Sequence, residues 1–155
     1  KLYLQDVVKV SSGQISGIGC IVFSITMTIG RFFGDAISKK YGSFSIIIGG
    51  CLVSIIGFLA VLSAQLSLTI VGFGFVGLGF SVIIPELFRL AGKTKGISPA
   101  EGISFVAGFG YLGFLVSPAF LGFLSEIGTL KLSFMALLIA TSIVVLIAIV
   151  KKRTL

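Results

Sequence analysis

The sequence predicts an all-α, polytopic integral membrane protein, a bundle of helices that each cross a lipid bilayer. Of its 155 residues, 56% are hydrophobic and only 11% are charged, and the mean hydropathy is +1.20. Twelve basic and five acidic residues are too few to cover the surface of a soluble domain of this size. The apolar residues also fall into long stretches, whereas disordered chains are poor in such residues.

Five stretches are long enough to span a bilayer, for which about 20 residues are needed. The breaks between them carry residues typical of turns. A shorter apolar segment, Leu2–Val8, precedes them and is interpreted as the tail of a truncated helix. The five predicted spans are Ile15–Ile37, Phe44–Ser63, Leu66–Leu90, Ile103–Ser125 and Leu132–Val150.

The first span carries a polar stripe along one helix face. Ser24, Thr28, Arg31 and Asp35 are spaced four, three and four residues apart, so they share one side of a helix. Polar side chains at membrane depth usually face protein or a water-filled path rather than lipid. We therefore predict that Ser24 and Thr28 line such a path. The alternative is that both hydroxyls bond only to the backbone of their own helix.

The third and fourth spans are rich in glycine. Two stretches match the glycine pattern of dinucleotide-binding loops, but they lie inside apolar runs without the strand and turn that such a loop needs. The glycines instead form stripes of small residues, which let helix backbones approach closely, and two prolines can bend these helices. The stripes are Gly74, Gly77, Ser81 and Pro85 in the third span and Gly110, Gly113 and Ser117 in the fourth.

Tyr111 lies near the middle of the fourth span. Its hydroxyl needs a hydrogen-bond partner or a wet cavity at that depth. We predict that Tyr111, Gly77 and Ser81 join Ser24 and Thr28 along the path.

Two further features concern the start of the fourth span and the composition of the fifth. Ser98, Pro99 and Glu101 have the spacing of a capping box, which predicts the start of the fourth helix. The fifth span has no glycine and no charge, so it is predicted to be a peripheral helix largely wrapped in lipid.

Nine of the twelve basic residues cluster at or after the C-terminal ends of the first, third and fifth spans, and therefore lie on one side if the spans alternate in direction. Because Lys and Arg are enriched in cytoplasmic loops, these three clusters and the C-terminus are predicted to be cytoplasmic. The net charge of +7 is then a property of membrane topology, and no nucleic-acid partner is expected.

A motif at the end of the first span combines charge and glycine. Asp35 lies near the C-terminal end of its helix, where the helix dipole disfavours a carboxylate, and Arg31 and Lys39 stand four residues to either side. We predict a cytoplasmic gating motif that holds one packing of two helices and releases it in another. Its residues are Gly30, Arg31, Gly34, Asp35, Lys39, Lys40 and Gly42.

The gating motif resembles the loop signature of the major facilitator superfamily in the form found between helices 8 and 9. The segments that follow are similar too, because Pro85–Gly92 resembles helix 10 and Gly108–Gly122 resembles helix 11. The detail is similar to bacterial permeases of the MosC-like, sugar-type branch. The resemblance implies that the five spans are helices 8 to 12 of a C-terminal six-helix half and that residues 1–8 end helix 7. It also implies that helices 7, 8, 10 and 11 line the substrate path.

The resemblance implies transport of a small polar solute, sugar- or polyol-like, by alternating access across the inner (plasma) membrane. The implied partners are the missing N-terminal half, the small-molecule substrate and the bilayer; no cofactor or metal is expected. Enzymatic activity is not expected, because the chain has no His and no carboxylate pair at mid-membrane. A proton-coupling acid would lie in the missing half or be Asp6. The alternative is a non-transporting multi-span membrane subunit or assembly partner.

Overall fold

The computed structural model describes residues 13–154, with the side chains of residues 17–153 apart from positions 35, 36 and 39. This part of the chain forms five α-helices, each long and apolar enough to cross a membrane. The predicted all-α membrane fold class is confirmed. Leu2–Val8 and Asp6 lie outside the described residues. The helices are α1 (Gly13–Tyr41), α2 (Ser43–Leu62), α3 (Leu66–Gly92), α4 (Pro99–Ile127) and α5 (Leu130–Thr154).

Short turns connect the helices. Gly42 separates α1 from α2 with a φ of 78°, a left-handed conformation that glycine adopts without steric cost. The predicted capping box at the start of α4 is confirmed. The Glu101 backbone N–H donates to Ser98 Oγ at 3.2 Å, and the Ser98 N–H donates to Glu101 Oε2 at 2.8 Å.

α3 is the central helix, and one of its faces packs closely against α2. A Cβ atom at Gly57 would lie 2.7 Å from the Gly72 carbonyl oxygen, and one at Gly50 would lie 2.7 Å from that of Gly79. Since no larger residue fits at these positions, the backbones meet through glycine, as is common between membrane helices. The earlier glycine of α2 meets the later glycine of α3, and the later one meets the earlier one, so α2 and α3 are antiparallel.

A second face of α3 packs against α1 through the predicted small-residue stripe. A Cβ atom at Gly74 would lie 3.2 Å from Val22 Cγ1, and one at Gly77 would lie 2.5 Å from the Phe23 carbonyl oxygen. Ser81, one turn further along, meets Gly30. Residue numbers rise together along this contact, so α1 and α3 run parallel.

α5 packs against the side of α2 away from this contact. Ile47 and Cys51 of α2 form a buried apolar cluster with Val145 and Ala148 of α5. Near the other end of the contact, the Phe58 and Phe134 ring centroids are 6.3 Å apart. α5 is therefore antiparallel to α2. Apart from the ring contact of Phe134 with Phe73 of α3 and a hydrogen bond to α4, the rest of α5 is largely exposed, as the prediction of a peripheral helix requires.

α4 makes the fewest contacts with the bundle. Gly102 is its only buried residue and packs against the backbone of Ala91 at the end of α3. Toward its other end, Ser133 of α5 donates a hydrogen bond to the Leu121 carbonyl at 2.9 Å. A Cβ atom placed at Gly110 or Gly113 would have no atom of a described neighbouring residue within 4 Å. The second small-residue stripe is therefore without a packing partner in this part of the molecule.

Candidate functional site

The glycines of the gating motif bring α1 against α3. A Cβ atom at Gly30 would collide with Ser81 Oγ, and one at Gly34 would lie 2.9 Å from Val82 Cγ1. The expectation that these two glycines permit close approach of another helix is met, and the approaching helix is α3. The side chains of Asp35 and Lys39 lie outside the description, so the predicted charge pairs around Asp35 stay predictions.

A polar contact joins the end of α1 to α3 at the gating motif. Arg89 Nη1 of α3 donates a hydrogen bond to Ser38 Oγ of α1 at 2.5 Å. The same nitrogen lies 3.3 Å from Glu86 Oε1, one helical turn back. Glu86 is 2% exposed, and its Oε2 has no hydrogen-bond partner within the described residues. Ser38, Glu86 and Arg89 therefore form a polar cluster between two apolar helices.

Sequence reasoning did not select this polar cluster. Ser38 lies within the gating motif but carries no charge, so the sequence does not distinguish it from other small polar residues near Asp35 and Lys39. The available signal was the three-residue spacing of Glu86 and Arg89, which places two opposite charges on one face at the end of an apolar helix.

The remaining residues of the gating motif lie on the surface. Arg31 and Lys40 are exposed, and Lys40 Nζ stands 5.4 Å from the centroid of the Tyr41 ring. Gly42 supplies the turn into α2. Lys40 therefore gives the end of α1 a positive, exposed surface beside the polar cluster, and Arg31 lies further back along the helix.

Three of the predicted path residues are exposed. The Ser24 hydroxyl donates to the Cys20 carbonyl and the Thr28 hydroxyl to the Ser24 carbonyl, both at 2.8 Å. These bonds match the alternative interpretation of the polar stripe, since both hydroxyls bond to their own helix. Neither residue is covered by another helix of the described bundle. Tyr111 is 73% exposed on α4.

The other two predicted path residues lie in a different place. Gly77 and Ser81 are buried in the contact between α3 and α1, and the Ser81 hydroxyl donates to the Leu78 carbonyl at 2.6 Å. The structure therefore does not bring the five residues together. It places one pair in a helix contact and three residues on exposed faces of α1 and α4.

An aromatic cavity of about 730 Å³ lies between α3 and α4. Phe88 of α3 and Phe105, Phe109, Tyr111 and Phe114 of α4 supply most of its wall, and none of its lining residues is charged. The centroids of the Phe105 and Phe109 rings are 4.7 Å apart. Sequence reasoning identified only Tyr111 here, although phenylalanines at positions 105 and 109 are one turn apart and share a face.

The described residues hold no group of three His, Cys, Asp or Glu side chains that could bind a metal ion. What they do provide is five membrane-spanning helices, a polar cluster at one end of the bundle and a cavity along an uncovered helix. These features define a polytopic α-helical membrane protein.

Comparison with known proteins identifies the family within that class. The chain is 36% identical over 129 residues to an uncharacterized MFS-type transporter of Yersinia pestis and 33% identical over 127 residues to the membrane protein MosC of Rhizobium meliloti. It is also 28% identical over 153 residues to an uncharacterized transporter of Sinorhizobium fredii. The predicted resemblance to the major facilitator superfamily is thereby confirmed.

These alignments cover 81%, 81% and 98% of this chain but only 34%, 31% and 40% of the respective relatives. The chain thus spans about a third of the length of the first two. No protein-family model and no solved structure matches it.

Proposed function

We propose that this chain is the C-terminal half of a secondary transporter, which moves a small neutral solute across the bacterial inner membrane by rocking against an N-terminal half. The observation that carries the proposal is α4, an apolar helix of 29 residues with a single buried residue. Lipid alone could cover its apolar side chains, but an uncovered stripe of small residues and the exposed Tyr111 hydroxyl favour further protein or a solute path beside it. Relatives about two and a half times as long, two of them named as transporters, support the existence of such further protein.

The uncovered surface of α4 suits a helix at a rocking interface. Its small-residue stripe, Gly110, Gly113 and Ser117, permits close approach of another helix. Gly110 also lines the cavity shared with α3, so the stripe and the cavity meet. In this proposal the N-terminal half packs beside Gly113 and Ser117, and the solute passes through the adjoining cavity.

The proposed gate is the gating motif together with the polar cluster. Ser38 of α1 and Arg89 of α3 are bonded across two helices that otherwise meet through small residues. Such a contact is short, directional and confined to one end of the bundle. It therefore holds one packing of α1 and α3 at that end and is lost when these helices shift.

The proposed solute is neutral and sugar- or polyol-like. The cavity wall carries no charged residue, so a charged solute would meet no compensating group there. Aromatic rings offer flat apolar surfaces, and the Tyr111 hydroxyl lies in the same cavity wall. The Ser24 and Thr28 hydroxyls are exposed on α1, outside the cavity, and each donates to its own helix. A solute with an apolar ring face and hydroxyl groups suits both kinds of surface.

Substituted-cysteine accessibility in the full-length protein tests the path. Cysteines at positions 24, 28 and 111 should react with a charged, water-soluble thiol reagent. Uptake into vesicles that contain the protein identifies which sugars or polyols are transported, and those solutes should slow the reaction. Positions 25 and 29 are matched controls on the isoleucine face of α1, because a charged reagent does not enter lipid. Ile25 and Ile29 are themselves exposed in this chain, so their protection would come from the bilayer.

Two outcomes would contradict the proposal in different ways. Equal reaction at positions 25 and 29 would remove the face assignment and the solute path with it. Vesicles that take up none of the neutral sugars and polyols tested would contradict the solute class. If the protein instead copurified with another membrane protein and moved no solute at all, it would be an assembly partner.

A further inference from the structure

One end of the bundle collects most of the described positive charge. α1 and α3 run parallel, while α2 is antiparallel to both α3 and α5, so the C-terminal ends of α1, α3 and α5 lie together. We call this the basic end. Its exposed cations are Lys40, Lys93, Lys95, Lys151, Lys152 and Arg153. In the described part of the chain, the opposite end carries one cation, Lys131, and one acid, Glu126.

The acidic side chains described at the basic end already have partners. Glu86 is buried beside Arg89, and Glu101 accepts a hydrogen bond in the capping box. Lys151, Lys152 and Arg153 form no ion pair with any acidic side chain that the structure describes. Three adjacent cations on one helical turn repel one another unless an anion lies near them.

The last turns of α5 combine this charge with an exposed apolar surface. Leu146, Val150 and Arg153 are spaced four and three residues apart, so they share one helix face. Leu146 is 64% and Val150 is 63% exposed. Ile147 and Lys151 repeat the same arrangement on the adjacent face. Each face therefore presents hydrocarbon below a cation, which matches the shape of a phospholipid with an anionic headgroup.

We propose that Lys151, Lys152 and Arg153 form a binding site for anionic phospholipids, with the acyl chains along Leu146 and Val150. A soluble polyanion would use the cations alone and would leave the apolar surface below them uncovered. Anionic headgroups attract basic residues next to a membrane helix, so the site adds specific lipid contacts to the general attraction of the basic end. This site does not depend on whether the protein transports a solute.

Lipid titration of the purified full-length protein tests the site. The protein in a neutral detergent is titrated with dioleoylphosphatidylglycerol or dioleoylphosphatidylcholine, and bound lipids are counted by native mass spectrometry. We expect tighter binding of phosphatidylglycerol. Each cation removed should lower its affinity about fivefold, so the triple variant K151Q/K152Q/R153Q should lose most of the preference. Because micelles have no sidedness, a change of membrane orientation cannot produce this result.

Lys131→Gln is the matched control, since it removes an exposed cation at the opposite end of the same helix. The variant K151R/K152R/R153K keeps the charges and should bind as the unmodified protein does, and thermal melting checks that each variant is folded. Equal phosphatidylglycerol binding by the triple glutamine variant, or an equal loss in Lys131→Gln, would overturn the proposal. Displacement of the lipid by millimolar glycerol 3-phosphate or by nucleic acid would also overturn it, because the site would then bind anions in general.

Discussion

At the scale of single residues, the buried carboxylate of Glu86 is the most costly to bury among the side chains that the structure describes. It is 2% exposed, and its nearest charge is the Arg89 guanidinium, which is partly exposed and also bonds to Ser38. Removing one partner of such a cluster leaves the other buried and unsatisfied, which is usually worse than removing both. The polar cluster therefore stabilises the contact of α1 with α3 only as long as all three members are present.

We predict that Arg89→Gln destabilises the full-length protein by about 1–3 kcal/mol, because it leaves the Glu86 carboxylate without its cation. The double variant E86Q/R89Q should recover part of this loss, since an uncharged amide is cheaper to bury. Thermal melting in detergent measures both effects. Lys93→Gln, an exposed cation just beyond the end of α3, is the control and should leave the melting temperature unchanged. A double variant less stable than Arg89→Gln would refute this account of the cluster.

Gly30 and Ser81 form a second contact in which single atoms decide the packing. A Cβ atom at position 30 would collide with the Ser81 hydroxyl and approach Ser81 Cβ to 2.8 Å. We predict that Gly30→Ala destabilises the protein by about 1–3 kcal/mol through overpacking. Adding Ser81→Gly should restore much of the stability, because it moves the empty space from one helix to the other.

Gly17→Ala on the same helix is the control for this pair. No atom that the structure describes lies within 4 Å of a Cβ atom placed at Gly17, so the melting temperature should not fall. If Ser81→Gly fails to rescue Gly30→Ala while Gly17→Ala is neutral, the contact between these two residues is not what limits the packing of α1 on α3.

At the scale of the helices, the two glycine faces of α3 explain why it is central. One face meets α2 through Gly72 and Gly79, and the other meets α1 through Gly74 and Gly77. At Gly72, Gly79 and Gly77 there is no room for a Cβ atom, so dispersion and close backbone packing hold both contacts together. A bulky residue on either face would therefore push a neighbouring helix away rather than be absorbed.

Adjacent glycines in α2 give a sharp test of this packing. Gly50 is buried against the Gly79 carbonyl, whereas its neighbour Gly49 is exposed, and no described atom lies within 4 Å of a Cβ atom placed there. We predict that Gly50→Val lowers the melting temperature of the full-length protein and that Gly49→Val does not, with a difference of about 1–3 kcal/mol. Both variants gain the same side chain in the same helix, so propensity and hydrophobicity cancel. Equal melting temperatures would show that α2 and α3 do not meet at Gly50.

The same helices show how far sequence patterns reach. The stripe Gly74, Gly77 and Ser81 was predictable as a surface of close approach because helical spacing alone defines it. Its partner was not predictable, since small residues carry no mark of the helix that packs on them. For the same reason, Ser81 was assigned to a solute path although it lies buried against Gly30. The polar stripe of α1 could likewise be located, but not whether its hydroxyls would bond to their own helix.

At the scale of the whole molecule, the distribution of charge predicts how the bundle lies in the membrane. The basic end contains every described cation except two. Lys131 lies at the opposite end of the bundle, and Arg31 lies further back along α1. Placing that end outside the cell would oppose the strong bias of Lys and Arg toward cytoplasmic segments. The packing adds an independent requirement, because the parallel arrangement of α1, α3 and α5 puts their C-terminal ends on the same side whichever side that is.

We predict that cysteines replacing Lys95 and Lys152 are labelled by a membrane-impermeant thiol reagent only after cells are permeabilised, and that cysteines replacing Gln65 and Thr129 are labelled in intact cells. All four positions are exposed, so access to reagent depends on the side of the membrane. The native Cys20 is exposed as well, so the full-length protein must first carry Cys20→Ser and Cys51→Ala. Labelling of position 95 or 152 in intact cells would reverse the orientation. Labelling of positions 65 and 152 from the same side would contradict the alternation of the spans itself, since the loop at Gln65 and the end of α5 lie at opposite ends of the bundle.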